Sequence, residues 1–163
     1  MNSDFRIGFG VDVHQFAYNR KLILGGVEIP YEKGLQGHSD ADVLLHSIAD
    51  ALLGSLSMGD IGKHFPDNDP QFKNADSKYL LKQVYEMVLN KGYEIGNIDA
   101  TLMIENPKIA NFIDPIRESI ADVLSCSTNQ ISVKATTSEE LGFVGREEGV
   151  KAFAVVIIMK AKE

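Results

Sequence analysis

Apolar and polar residues recur along this chain with two periods, and the switches between them mark its elements. Phe5 to Val13 (FRIGFGVDV) is strand-like, interrupted by Gly8 and Gly10. Glycine inside a strand marks a bulge or a close backbone approach. Lys21 to Pro30 reads as a hairpin, because two short apolar runs flank Gly25-Gly26, a pair suited to a tight primed turn. Tyr31 to Gly37 follows as a loop. The stretch Gly37 to Gly54 (GHSDADVLLHSIADALLG) then takes the helical period. Its expected start is near Ser39 and Asp40, both good N-caps. Leu45, Ile48, Ala49 and Leu52 recur on one face and form a core stripe. Asp42, His46 and Asp50 recur every fourth residue and lie in one line on another face.

Ser57 to Pro70 (SMGDIGKHFPDNDP) is a long loop rich in Gly, Asp, Asn and Pro, a composition and length typical of functional lids. Asp60, Lys63, His64 and Asp67 are its candidate polar contacts. Ser77 to Asn90 reads as a helix capped by Asp76 and ended by Gly92, with Leu81, Val84, Tyr85 and Val88 inward. A strand within Tyr93 to Ile104, clearest from Asp99, ends in the turn signal Glu105-Asn106-Pro107-Lys108. Ile109 to Ser125 carries a third helical stripe. Pro115 lies within it and predicts a kink or a first turn, with Asp114 as the cap. Ile131 to Ala135 is a short strand. Val150 to Met159 is a nearly continuous apolar strand, of the kind covered on both faces, by helices or by another subunit. The order of strand, hairpin, helix, helix, strand, helix, strand, strand predicts one α+β domain over residues 1–163, a mixed β-sheet with helices on one face.

The chain has 163 residues, enough for a single core, and its 44% hydrophobic and 24% charged content is ordinary for a globular protein. With 23 acidic against 16 basic residues the net charge is −7, which argues against a general nucleic-acid binder. A small anionic substrate stays compatible, since bound metals or local groups reverse the local sign. No apolar run approaches a membrane span. The single cysteine, Cys126, sits among apolar helix positions and reads as a small core residue. The strand-like pattern begins within the first few residues, so no leader peptide is expected, and a cytoplasmic protein is.

Three places carry candidate chemistry. Asp12 and His14 alternate in an extended chain and point the same way, a plausible pair of metal ligands or simply a polar strand end. His38 and Ser39 precede a helix start, where unpaired N–H groups favour a phosphate; plain capping by Ser39 or Asp40 explains them equally well. Thr136-Thr137-Ser138-Glu139-Glu140 places three hydroxyls and two acids after a strand, suited to phosphate oxygens and a divalent cation, or to a capping box from Thr137 to Glu140.

The stretches RIGFGVDVH (6–14), HSDADVLLH (38–46), GDIGKHFPD (59–67), NPK (106–108), VKATTSEELGF (133–143) and GREEG (145–149) occur in one order along the chain. Together they resemble the 2-C-methyl-D-erythritol 2,4-cyclodiphosphate synthase family, which serves non-mevalonate isoprenoid synthesis. The resemblance implies a homotrimer with active sites between neighbouring subunits, a Zn²⁺ held by Asp12, His14 and His46, and a Mg²⁺ or Mn²⁺ drawn to Glu139. It also implies cyclisation of 4-diphosphocytidyl-2-C-methyl-D-erythritol 2-phosphate, with CMP released. His38, Ser39, Thr136 and Thr137 would then meet phosphates, and Asp60 a hydroxyl. Ile61, Gly62, Asp67, Ala135, Ser138 and Phe143 would complete the substrate contacts. Pro107 and Lys108 would form the cytidine pocket, beside Ile104, where family members often carry a small residue. Arg146 and Glu148 match positions near the trimer axis, where the family has a cavity; an isoprenoid diphosphate is a ligand to test for there. Asp50, one turn after His46, is expected to orient the His46 imidazole from behind as a metal ligand. Two other readings use the same residues. A metal-dependent phosphohydrolase or phosphodiesterase would consume water, and a non-catalytic trimeric nucleotide-binding protein would keep its function in a His46→Ala variant.

Overall fold

The computed structural model describes residues 4–66 and 75–161. Asp67 lies outside the described residues, as do residues 68–70 of the expected lid. Among the described residues, twelve strands and α-helices follow in order: β1 (Phe5–Tyr18), β2 (Leu22–Leu24), β3 (Val27–Ile29), β4 (Lys33–Leu35), α1 (Val43–Ser55), α2 (Ile61–His64), α3 (Ser77–Asn90), β5 (Tyr93–Met103), α4 (Ile113–Leu124), β6 (Ile131–Thr136), α5 (Gly142–Gly145) and β7 (Gly149–Lys160), with 3-10 turns at Ala110–Phe112 and Thr128–Gln130. Five strands form a sheet in the order β4-β1-β7-β5-β6, and β2 and β3 form the separate hairpin. β7 pairs antiparallel with both β1 and β5, while β5 and β6 run parallel, joined through α4. The fold is α+β with a mixed sheet.

All the packed helices lie on one face. α1 crosses β1 and β7, α3 packs on α1 and β5, and α4 packs on β6 and α3. The close approach of α1 explains the two glycines of β1. A Cβ at Gly8 would lie 1.7 Å from the Ala51 carbonyl oxygen, and one at Gly10 would lie 2.0 Å from that of Ser47. Leu44, Leu45, Ile48, Leu52 and Leu53 are fully buried. Burial of each such side chain contributes about 1.5–3 kcal/mol. α1 is in fact apolar almost all round, as a helix covered on several sides must be. Only His46, Asp50 and Gly54 of this helix escape full burial.

The opposite sheet face carries no helix among the described residues. There β1 presents Ile7, Phe9, Val11 and Val13, with Ile7 59% and Phe9 61% exposed. Across the pairing, Phe9 faces Val155 and Val11 faces Phe153. The Phe9 and Phe153 rings stack with centroids 6.4 Å apart. The expected second cover of β7 is therefore not supplied by the described residues.

Several elements differ from expectation. α1 starts at Val43, and its N-cap is Asp42 rather than Ser39 or Asp40. Ala41 takes a left-handed φ of 59°, which keeps the preceding residues out of the helix. Asp42 consequently leaves the line with His46 and Asp50. It is completely buried, and its carboxylate accepts from the N–H groups of Gly25, Gly26, Leu44 and Leu45. β1 runs on to Tyr18, and β4 forms inside the expected 31–37 loop by pairing with it. α2 is a single turn inside the expected 57–70 loop. Pro115 does sit in a first turn, that of α4, yet the N-cap is Phe112; Asp114 instead pairs with Arg117 at 2.9 Å. No capping box forms from Thr137 to Glu140, because Glu139 and Glu140 both take left-handed φ values and α5 begins only at Gly142.

Candidate active site

In β1 the side chains of Asp12 and His14 project to the same face as Gly8 and Gly10, the face covered by α1. His46 sits in the first turn of α1 and reaches the same point. Asp12 Oδ2 lies 3.0 Å from His14 Nε2 and 3.0 Å from His46 Nδ1. The two ring nitrogens are 3.3 Å apart. These three atoms form a nearly equilateral triangle, and the three residues are a possible metal-binding group.

The outer ring nitrogens fix which atoms face inward. His14 Nδ1 meets the Gln36 carbonyl oxygen at 2.7 Å, and a carbonyl only accepts, so Nδ1 carries the proton and Nε2 turns a lone pair to the centre. His46 Nε2 lies 2.9 Å from Ser77 Oγ and 3.3 Å from Ser39 Oγ. The Ser77 hydroxyl donates to Asp40 Oδ1, so its oxygen accepts from His46 Nε2–H, and His46 Nδ1 also presents a lone pair inward. With Asp12 Oδ2, three electron pairs converge. Such an arrangement repels itself unless a cation or a proton sits among them.

The electrostatics agree. Burial alone would raise the Asp12 pKa, but hydrogen bonds from His14 and His46, made when a proton rather than a cation occupies the centre, outweigh it and hold the carboxyl well below the usual range. Burial likewise lowers His14, and the Asp12 carboxylate more than reverses this, so its pKa is raised. A proton on His14 Nε2 is thus the competitor of any metal at this point.

Asp50 does not serve His46. Its Oδ1 accepts from the Ile61 N–H at 2.7 Å, which ties α1 to the start of α2. The His46 ring is oriented instead by Ser77, a residue 1% exposed at the first position of α3, with Asp40 behind it. Neither had a signal of its own in the sequence, beyond the capping propensity already given to Asp40.

Around the triangle, Gly37, His38, Ser39, Ile61, Gly62, Phe65 and Leu80 complete a cleft of about 220 Å³. Ser39 Oγ also accepts from Ala41 N–H at 3.0 Å, so one hydroxyl serves both the local turn and the His46 side of the cleft. Asp60 is the N-cap of α2 and accepts from the Lys63 N–H. A second cleft of about 250 Å³ lies at the carboxyl ends of the parallel pair β5 and β6. Ile104, Pro107 and Lys108 form one wall, and Ala135, Thr136 and Thr137 the other. Crevices at that end of parallel strands are common ligand sites. Ser138 and Glu139 continue from it, with Thr137 Oγ1 3.0 Å from Glu139 Oε1. Phe143 stands beside His14 and Glu148 in a shallower depression, and Arg146 pairs with Glu148 through both carboxylate oxygens. The first two clefts share no lining residue. Asp12, Ala152, Leu102 and Ala135 share one row across four strands, so Asp12 and Ala135 are about 14 Å apart.

The YgbB family model matches residues 5–159. A 2-C-methyl-D-erythritol 2,4-cyclodiphosphate synthase of Bacillus cytotoxicus is 60% identical over 156 residues, 96% of this chain and 99% of that protein. Among solved structures, a CDP complex of IspF from Plasmodium falciparum is 34% identical with a TM-score of 0.87, and the match covers 99% of this chain and 100% of that one. The bifunctional IspDF from Campylobacter jejuni is 46% identical with a TM-score of 0.92; the match takes 96% of this chain and 42% of that longer one.

Proposed function

The chain belongs to the YgbB family, and on that footing we propose that it converts 4-diphosphocytidyl-2-C-methyl-D-erythritol 2-phosphate to 2-C-methyl-D-erythritol 2,4-cyclodiphosphate and CMP, a step in isoprenoid precursor synthesis. The observation that carries this reading at the level of atoms is the inward-facing triangle of Asp12 Oδ2, His14 Nε2 and His46 Nδ1. Its edges of 3.0–3.3 Å suit Zn²⁺, since tetrahedral ligands with bonds of about 2.0–2.1 Å stand about 3.3 Å apart. When bound, Zn²⁺ there and Mg²⁺ or Mn²⁺ beside Glu139 supply Lewis acidity and neutralise phosphate charge.

The reaction joins two parts of one anion. An oxygen of the 2-phosphate attacks the β-phosphorus, the bond from that phosphorus to the α–β bridging oxygen breaks, and the bridging oxygen leaves with CMP. No water is consumed. The chain's work is to bring repelling groups together and hold them in line. His38 and Ser39 receive the phosphate beside the triangle, and Asp60, with Ile61 and Gly62, holds the erythritol end. Thr136, Thr137 and Ser138 receive the diphosphate near Glu139. Pro107, Lys108 and Ala135 take the cytidine, consistent with the CDP bound in the Plasmodium relative. Phe143 and Arg146 border the site. Asp67 belongs to the same proposal through its motif alone.

The separation of the two clefts supports a shared site, the triangle from one subunit and the cytidine cleft from its neighbour, in a homotrimer. The apolar face of β1 and β7 supports the same assembly, since a contiguous exposed patch marks an interaction surface. Three such sheets facing a common axis would cover it and leave Arg146 and Glu148 near that axis, beside a cavity in which an isoprenoid diphosphate is a ligand to test. No described helix is long and apolar enough to cross a membrane, and we place the protein in the cytoplasm.

³¹P NMR of the purified protein with the cytidylyl substrate and Mg²⁺ tests the reaction. Two coupled ring phosphorus signals together with CMP are expected. A phosphate monoester with CMP would instead identify a hydrolase, and no turnover in wild type would favour a nucleotide-binding protein without catalysis.

A further inference from the structure

Glu147 takes a left-handed φ of 54°, a conformation in which glycine is the favoured residue. What the position gains from glutamate is its carboxylate. Oε1 accepts from Asn106 Nδ2 at 2.8 Å, and Oε2 accepts from the Tyr31 hydroxyl at 3.1 Å. The two donors come from separate segments. Asn106 stands in the turn after β5, directly before Pro107 and Lys108; Tyr31 lies between β3 and β4, its ring 5.7 Å from that of Phe16. The Asn106 and Tyr31 hydrogen bonds hold the Glu147 carboxyl below the usual glutamate range, so at neutral pH it is an acceptor on both oxygens. Burial, then Glu147 itself, pushes the Tyr31 phenol up to about 12, so Tyr31 stays a donor.

The same turn is fastened on its other side. Glu105 Oε2 accepts from the Ser138 N–H at 3.1 Å and lies 3.4 Å from Ser138 Oγ. Consecutive residues thus pin the turn in two directions: Glu105 to the hydroxyl-rich loop across the cleft, Asn106 to Glu147 and so to the body of the sheet. Neither Asn106 nor Glu147 lines the cleft.

We propose that Glu147 is a positioning residue for the nucleotide end of the substrate, holding the 105–108 turn through Asn106 so that Pro107 and Lys108 keep their distance from Ala135–Thr137. The proposal rests on the reading of that cleft as the cytidine site. It predicts that Glu147 acts on binding, through Asn106, without touching the ligand or the metal.

Calorimetric titration with CDP and Mg²⁺, alongside steady-state kinetics and metal content, tests it on the full chain. E147G relieves the backbone while removing the carboxylate, so folding is preserved. It should weaken CDP binding about fivefold, the scale of one ordinary net hydrogen bond, and raise KM to match. Its kcat should stay within about twofold and its metal content should be unchanged. N106A should reproduce the effect, and the double variant should be no worse than either single one. E147Q, which keeps an acceptor oxygen for Asn106 but no charge, should restore most of the affinity. If E147G and N106A both bind CDP as the wild type does, or if their effects add, the proposal fails and the cytidine reading stands. If the wild type binds no CDP, both fall.

Discussion

Replacing Ser77 by alanine isolates the proton arrangement that turns His46 toward the triangle. In the native chain Ser77 Oγ receives the His46 Nε2 proton at 2.9 Å and passes its own to Asp40. S77A removes the acceptor and leaves Ser39 Oγ, at 3.3 Å, as the next partner of Nε2. That longer contact holds the ring less firmly, and the tautomer with Nδ1 protonated becomes accessible. A protonated Nδ1 cannot donate its lone pair to a metal. Loss of a partner behind a ligand imidazole lowers metal affinity about 10–100-fold, equivalent to about 1.4–2.7 kcal/mol. The remaining Ser39 contact places S77A toward the lower end of that range, and S39A/S77A should reach the upper end. The assay is competition for Zn²⁺ against a chromophoric chelator, with urea denaturation of the metal-free chains as control. Because the buried Ser77 hydroxyl donates to the Asp40 carboxylate, S77A also lowers metal-free stability, by about 1.5–3 kcal/mol for one hydrogen bond to a charged group, while Asp40 Oδ1 keeps the Asp42 N–H. S77T keeps the hydroxyl and should retain native affinity. An S77A chain that held Zn²⁺ within twofold of native would refute the assignment of Ser77 as the acceptor that sets the tautomer.

Three further outcomes follow from the geometry. Metal affinity should fall about tenfold per pH unit once the pH drops below the raised His14 pKa, since one proton on Nε2 must leave for each metal bound; a flat profile in chelator competition across pH 5–8 would refute a histidine-held metal. In the metal-free chain that same raised pKa stabilises below the unfolded value of about 6.5, and the gain disappears as pH rises through the folded value. D42N should destabilise by about 1–3 kcal/mol in urea, although it removes a buried charge, because the amide turns an NH₂ group toward N–H donors that Asp42 now satisfies; equal or greater stability would show that burial, which pushes the Asp42 pKa up to about 6, dominates. Phe9→Glu places a charge on the open sheet face and should convert the proposed trimer to monomers in sedimentation velocity; an unchanged mass would remove that face from the interface.

What could be read from the sequence depended on whether a property repeats locally. The alternation of β1 aligned Asp12 with His14 without any knowledge of the fold. The helical period of α1 found Leu45, Ile48, Ala49 and Leu52, all buried. It stopped short of the first turn, because Ser39, Asp40 and Asp42 are all competent caps and the left-handed Ala41 that selects among them has no residue-type signal. β4 is three residues long and includes Gly34, too short for a period, and is defined by its pairing with β1. α2 is too short for the same reason.

The site shows the same division. A four-residue step from His46 leads equally to Asp42 and Asp50, yet the folded chain spends Asp42 on a hairpin tip and a helix cap, and Asp50 on the Ile61 N–H. Helical spacing alone could not have separated these roles, since each depends on a segment that arrives from elsewhere. The residue that does orient His46 stands 31 positions later at the start of another helix, where serine is commonplace. Its importance arises only when α3 docks and Asp40 accepts the Ser77 hydrogen bond. The fold therefore does two things for the triangle. It brings three ligand atoms within reach, and it settles by remote hydrogen bonds that all three arrive with electron pairs free. The first follows from strand and helix periods that any reader of the chain can count. The second requires the closed structure, and it is the part that makes a cation fit the three atoms, where polar side chains meeting by chance would not turn their electron pairs to one point.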